Sequence, residues 1–102
     1  MSKFILVYYG GAEITSQEQG AAHMAAWQAW MQGLGDAVVD PGMPAGASKT
    51  VSAKGVVDGG EVSGITVLQA DTMAAAVEMA QACPHLDLGG TIEVAQAMDM
   101  PM

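Results

Sequence analysis

The sequence has very little positive charge. Among its 102 residues there is no arginine, and Lys3, Lys49 and Lys54 are the only lysines, so the formal net charge is -8. Binding to a nucleic-acid backbone or to an anionic membrane surface requires clustered cations. Arginine also supplies the bidentate clamp that commonly holds phosphate or carboxylate groups. The composition therefore predicts no nucleic-acid partner and no membrane partner, and it argues against anionic substrates.

Cysteine and long apolar runs are equally scarce. The single cysteine, Cys83, cannot form an internal disulfide, which fits a reducing compartment. No segment approaches the ~20 apolar residues of a membrane-spanning helix. The apolar run after Lys3 is too short for a signal peptide. We therefore expect a cytoplasmic protein.

What is present is an alternation of strand and helix patterns. Residues 3–9 (KFILVYY) predict a strand, and Thr15 or Ser16 is a cap for a helix that Gly35 ends. Residues 36–40 could form a short strand or begin a loop, and residues 41–46 predict a loop because proline and glycine interrupt ladders. The remaining predictions are a weak strand at 49–57, a hairpin turn at 58–60, a strand at 62–70, a helix from its cap Asp71 to Cys83, and a strand at 91–98.

This order predicts one ferredoxin-like α+β domain (βαββαβ) over residues 1–102, with residues 98–102 as a flexible tail. Right-handed crossovers place both helices on the same face of an antiparallel sheet. The first strand is nevertheless apolar on both faces, since Phe4, Leu6 and Tyr8 alternate with Ile5, Val7 and Tyr9. A second copy of the sheet is the simplest cover for the open face. We therefore predict a homodimer with the sheets packed face to face.

The helix at 20–34 carries the most plausible chemical group. His23 precedes Trp27 by one turn, and Trp27, Trp30, Met31 and Leu34 follow at the spacing of a single helix face. Histidine serves as a general acid, a general base or a ligand. The pattern alone favours a partly buried histidine that is hydrogen-bonded to a carbonyl or carboxylate. Similarly, the two tryptophans are more typical of a core than of a ligand platform.

Two further segments contain candidate groups. A carboxylate at Asp36 or Asp40 could orient His23, although residues 36–44 are also ordinary turn material. In Cys83-Pro84-His85, a thiol at a helix C-terminus is not activated by the helix dipole, so Cys83 is expected to be a small apolar core residue. His23, Cys83 and His85 show no recognised metal-ligand spacing, so we predict no metal and no cofactor.

Four segments resemble a YCII-related domain of the DGPF-containing branch. They are KFILVYY (3–9), AAHMAAWQAWM (21–31), VDPGMPA (39–45) and AQACPHLDLGGTIEVAQAMDM (80–100). The resemblance covers nearly the whole chain, and its most specific part is the Cys-Pro-His-Leu step before a glycine-rich turn and strand. The DGPF motif itself is degraded, since Gly60-Glu61 follow Asp58-Gly59.

The resemblance implies a dimeric α+β barrel in which a histidine and an aspartate lie near a pocket. A relative in that family is known as a dehydrochlorinase of a chlorinated aromatic. The family histidine corresponds to His23, but the aspartate before the family's proline is replaced by Cys83. Asp36, Asp40 and Asp87 are possible substitutes, and Asp36 is our candidate catalytic partner for His23.

Two functions follow as hypotheses. The first is a small dimeric pocket protein acting on a small apolar or aromatic molecule, with His23 as general acid or base. Its predicted ligand-binding residues are Tyr8, Trp27, Met43, Pro44 and His85. The alternative is a non-catalytic dimeric module that binds a metabolite or a protein partner.

Overall fold

Strands and helices follow one another in the predicted ferredoxin-like order. A computed structural model describes residues 1–98, and the final four residues of the predicted tail lie outside that range. The elements are β1 (Ser2–Tyr9), α1 (Gln17–Leu34), β2 (Val38–Pro44), β3 (Lys49–Ser52), β4 (Gly55–Asp58), β5 (Val62–Ala70), α2 (Met73–Gln81) and β6 (Thr91–Gln96), with 3-10 turns at Gly35–Ala37 and Pro84–Leu88.

The main sheet has four antiparallel strands in the order β2-β5-β1-β6. Both helices cover one face, where apolar side chains from β1, β5, α1 and α2 form a single buried cluster. Its members are Phe4, Leu6, Tyr8, Trp30, Leu68, Ala70, Ala76, Ala80 and Cys83. The predicted α+β class is confirmed, and the main sheet with its helices has the βαββαβ order, although its second strand is β2 rather than the strand predicted at 49–57.

Helix α1 begins and ends where local signals predict. The Ser16 side chain accepts a hydrogen bond from the Gln19 backbone N–H at 3.0 Å, and the Gln19 side-chain oxygen accepts from the Thr15 N–H at 3.3 Å. The first contact satisfies a donor that the first helical turn leaves without a partner, and the second ties the chain before the cap to the helix. At the other end, Gly35 adopts φ 54°, a conformation that favours glycine.

The prediction of a loop at 41–46 is wrong for its first four residues, which belong to β2. This edge strand tolerates Pro41 and Pro44 because an edge needs ladder bonds on one side only. Its register with β5 shifts between Val38 and Asp40 and again between Asp40 and Met43. Gly42 lies in the second irregularity with φ 74°. A Cβ there would overlap the Ile65 carbonyl oxygen.

The prediction of one weak strand at 49–57 is also corrected. Strands β3 and β4 pair only with each other, as a two-stranded sheet whose turn lies at residues 53–54 rather than 58–60. All eight of its strand residues are exposed, including Val51, Val56 and Val57. Sequence periodicity does not reveal such a hairpin, because neither face of its strands is buried and no alternation of apolar and polar residues is required.

Helix α2 differs from its prediction at both ends. Its cap is Thr72 rather than Asp71, since the Thr72 hydroxyl accepts from the Ala75 N–H at 3.1 Å. It ends at Gln81, and Cys83 is extended because a residue before proline is disfavoured in the helical region. Ala76 and Ala80 pack on the sheet, whereas Met73 and Val77 of the predicted stripe are exposed. No α-helix within residues 1–98 combines the length and apolarity needed to cross a membrane.

Candidate functional site

A cavity of about 660 Å³ opens between the ends of β1 and β5, one side of α1, strand β2 and the turn after α2. Apolar and aromatic groups predominate in its wall. The lining residues are Tyr8, Gly10, Gly11, Ala12, Ile14, Gly20, His23, Met24, Trp27, Met31, Pro41, Gly42, Met43, Pro44, Ser63, Gly64, Ile65, Thr66, His85 and Leu88. None of these carries a carboxylate, an ammonium or a guanidinium group. The wall therefore offers no counter-ion for a charged ligand.

The floor of the cavity is a directed chain of hydroxyl groups. The Tyr8 hydroxyl donates to Thr66 Oγ1 at 2.6 Å, and the Thr66 hydroxyl donates to the Pro41 carbonyl oxygen at 3.1 Å. Burial raises the pKa of the Tyr8 phenol above its usual range, and the bond to Thr66 lowers it by less. Tyr8 is therefore a neutral phenol whose proton is committed to Thr66.

Aromatic rings line the side of the cavity next to this chain of hydroxyl groups. The Tyr8 and Trp27 rings meet edge to face, with centroids 5.4 Å apart and planes at 86°. Trp27 meets Trp30 in the same way at 5.3 Å and 83°. Trp30 lies in the buried cluster and Trp27 lines the cavity. The two tryptophans leave the cavity open rather than filling it.

His23 is held by its neighbour one turn along α1. The Trp27 indole N–H donates to His23 Nε2 at 2.7 Å. An indole nitrogen has no acceptor capacity, so His23 Nε2 must carry a lone pair and the neutral ring must carry its proton on Nδ1. In this arrangement, the lone pair with which His23 would act as a base is already occupied.

His85 has the opposite arrangement. Its Nε2 lies 2.9 Å from the Tyr9 carbonyl oxygen, and a carbonyl can only accept, so Nε2 must be the donor. The ring is buried beside two glycines. A Cβ at Gly90 would overlap His85 Nε2, and a Cβ at Gly11 would lie 3.0 Å from its Cε1. The absence of both side chains makes the slot in which the imidazole lies.

Cys83 is a core residue, as its sequence position predicts. Burial raises the pKa of the Cys83 thiol to about 11, against smaller lowering effects of the His85 backbone N–H and the Tyr8 hydroxyl. A thiol with such a pKa is protonated at physiological pH and is not a nucleophile. Within residues 1–98, no group of three histidine, cysteine, aspartate or glutamate side chains could hold a metal ion.

The structure brings together six of the seven predicted site residues. The cavity is lined by Tyr8, His23, Trp27, Met43, Pro44 and His85. Asp36 is the exception. It is exposed in the 3-10 turn after α1, and the helix between His23 and Leu34 alone is about 16 Å long. The structure therefore does not pair Asp36 with His23, and neither Asp40 nor Asp87 is among the lining residues.

Sequence reasoning missed the contribution of Thr66 and of the Gly10-Gly11 pair. Thr66 is a polar residue on the buried face of β5, and this interruption of an apolar alternation is a signal that could have identified it. Gly10-Gly11 matches no phosphate-binding motif. Gly11 of this pair passes close to His85, which only the folded structure reveals.

Comparisons with known proteins give little. No protein-family model matches the chain, and no curated protein matches it. Among solved structures, the chain is similar to a hydantoinase/carbamoylase family amidase from Burkholderia ambifaria, with 11% sequence identity and a TM-score of 0.36 over 98% of this chain. The chain spans 28% of the length of that amidase. A similarity of this size carries no argument about function.

Proposed function

We propose that this chain is a cytoplasmic, homodimeric pocket protein that binds a small, uncharged, largely apolar or aromatic molecule. The observation that carries the proposal is the open cavity of about 660 Å³ whose lining includes no charged side chain. Ligand cavities usually measure about 300–1,000 Å³, with mostly apolar walls and a few polar groups. Tyr8 and Trp27 supply flat apolar surface, and the chain's charge of -8 disfavours anions.

The proposal includes membership of the YCII-related family. Its support is the position of the histidine that corresponds to the family's own, since His23 lines the cavity. The missing aspartate has no substitute there, because the side chains that contact this region are aromatic, apolar, hydroxyl or imidazole groups. The barrel-like dimer that the resemblance implies is part of the same proposal.

Binding without chemistry is the second candidate, and one contact favours it over catalysis by His23. The bond from the Trp27 indole to His23 Nε2, 2.7 Å long, must break before that nitrogen can accept a substrate proton. A general-base function of His23 through Nε2 thus requires a rearrangement at Trp27, whereas a binding function requires none.

Methionine methyl groups provide a direct test of ligand binding. Anisole is a small, uncharged aromatic probe, and in spectra of methyl-labelled methionine it is expected to shift the resonances of Met24, Met31 and Met43, which line the cavity. Met73 and Met98 are exposed and are not among the lining residues, so they are internal controls in the same spectrum. Aromatic ring currents act over short distances, so only lining methyls should move.

The same titration separates the two versions of the function. His23→Ala is expected to leave anisole bound, since the aromatic wall of Tyr8 and Trp27 remains. Uniform shifts at all methionines, or none at Met24, Met31 and Met43, would be evidence against a pocket protein. Turnover of any aromatic substrate that disappears with His23→Ala would favour the catalytic version.

The homodimer has separate support from exposed surface. The chain exposes 7078 Å², against about 5,400 Å² expected of a compact monomer of this mass. Its radius of gyration is 14.8 Å, against about 13 Å for a compact chain of this length. Ile5, Val7 and Val67 lie on the sheet face without helices and are only partly covered. An interface of standard size buries about 800 Å² on each partner, which the excess can supply.

Light scattering with size-exclusion chromatography tests this association. At micromolar concentration we expect a mass twice the chain's 10.4 kDa. Val7→Glu should return the protein to a monomer, because it places a charge in the centre of the apolar face. Ala74→Glu, exposed on α2, is the matched control and should remain dimeric. A monomeric wild type would overturn the dimer without affecting the cavity.

A further inference from the structure

We infer that His85, rather than His23, presents the free proton-accepting nitrogen of the cavity, and that the site therefore selects aromatic molecules with a hydrogen-bond donor, such as phenols. This inference rests on the proposed function, because it names the chemical class of the ligand in the same cavity.

The first step is the tautomer of His85. Its Nε2–H donates to the Tyr9 carbonyl oxygen at 2.9 Å, so in the neutral ring Nδ1 carries the lone pair. The hydrogen bonds among residues 1–98 engage Nε2 and leave Nδ1 without a donor. In the same part of the chain, every fully buried side-chain nitrogen or oxygen has a partner. Nδ1 is therefore not sealed inside the protein, although the residue as a whole is only 5% exposed.

The second step is the path from Nδ1 to the cavity. Gly11 lies against the Cε1–Nδ1 edge of the ring, where a Cβ would lie 3.0 Å from Cε1 and 3.6 Å from Nδ1. Gly11 and His85 both line the cavity. Because Gly11 has no side chain, this edge of the imidazole remains accessible from the cavity.

The third step is the state of the other polar groups in the wall. Four side-chain donors are already used within the protein. Tyr8 donates to Thr66, Thr66 to the Pro41 carbonyl, Ser63 to the Gly10 carbonyl at 2.6 Å, and Trp27 to His23 Nε2. His23 keeps an N–H on Nδ1. The wall thus has unused acceptor capacity at His85 Nδ1, and a ligand that cannot donate leaves it unsatisfied when water is displaced.

The experiment compares phenol with anisole, which differ by the methyl group that replaces the hydroxyl proton. Both are uncharged near neutral pH and both offer an oxygen that can accept from His23. We expect the ratio of the anisole Kd to the phenol Kd to fall about fivefold in His85→Phe, which corresponds to about 1 kcal/mol for one neutral hydrogen bond. Phenylalanine places a flat ring in the same slot but has no acceptor, whereas glutamine would keep an amide oxygen beside its amide N–H. The ratio within each protein cancels the different hydration of the two ligands.

A nitrogen NMR measurement on the wild type keeps the inference falsifiable if His85→Phe does not fold. Long-range proton–nitrogen spectra should show His85 protonated on Nε2 and His23 protonated on Nδ1. Phenol, and not anisole, should move the His85 Nδ1 resonance. A proton on His85 Nδ1, or a Kd ratio unchanged in His85→Phe, would overturn the inference while leaving the pocket protein intact. If neither ligand shifts the lining methionines, the proposed function itself fails, and this inference with it.

Discussion

Replacing Trp30 with alanine is expected to lower the free energy of unfolding by about 3–5 kcal/mol, the usual cost of removing a buried tryptophan. Trp30 is only 8% exposed and belongs to the cluster that contains Phe4 and Leu6. It also joins the two helices, because its indole N–H donates to the Met79 carbonyl oxygen in α2 at 3.0 Å. The variant creates a cavity and removes this bond. Urea unfolding followed by far-ultraviolet circular dichroism measures the loss.

Two phenylalanine variants separate the packing from the hydrogen bond. Trp30→Phe keeps most of the ring but leaves the Met79 carbonyl with one donor fewer, so we expect a smaller loss of about 1–2 kcal/mol. Trp27→Phe makes the same chemical change at the partly exposed cavity wall and should cost less than Trp30→Phe. A free energy of unfolding of Trp30→Ala within about 1 kcal/mol of the wild-type value would contradict the position of Trp30 in the core.

Gly42→Ala is expected to destabilise the protein by about 3 kcal/mol or more, through two additive causes. The left-handed backbone at φ 74° costs a non-glycine residue about 1–3 kcal/mol. The added Cβ would also overlap the Ile65 carbonyl oxygen and lie 2.7 Å from the Ile65 carbonyl carbon. Backbone atoms of a central strand cannot rotate away, so β2 must separate from β5. The midpoint of urea unfolding should fall, and the Met43 methyl resonance in the NMR spectrum should shift.

Gly33→Ala is the matched control with the opposite expected sign. Gly33 lies within α1, and a Cβ there would meet no atom within 4 Å. Gly33 is in the last turn of α1, where the preference for alanine over glycine is at most that of a helix interior, about 0.5–1 kcal/mol, so a small stabilisation is expected. If both variants changed stability in the same direction and by similar amounts, the close approach of β2 to β5 at Gly42 would be disproved.

Elements with local signals were predictable from the sequence. Helix α1 carries its own cap at Ser16 and its own stop at Gly35, and β5 has the predicted bounds, 62–70. Strand β2 was missed in its second half because Pro41 and Gly42 are compatible with a strand only at a sheet edge, and edge position is a property of the assembled sheet. The β3–β4 hairpin was missed because its residues pack on nothing else.

The site was predictable where one element fixes the direction of a side chain. Tyr8 on the inner face of β1 and Trp27 one turn after His23 follow from strand and helix periodicity. Asp36 is not among the residues that line the cavity with His23, because it follows the end of α1 whereas His23 lies in the first half of that helix. The tautomers of His23 and His85 depend on which atoms of Trp27 and Tyr9 face them, and no sequence pattern encodes this.

The two edges of the main sheet are unequal, and this asymmetry has a consequence for self-association. At one edge, the prolines and register shifts of β2 interrupt the row of backbone donors that an incoming strand would need. At the other edge, β6 pairs with β1 without a register shift and contains no proline between Thr91 and Gln96. Amyloid-like or swapped pairing of partly unfolded molecules should therefore begin at β6. Glu93 is the one charged residue of that strand and the natural barrier to stacking there.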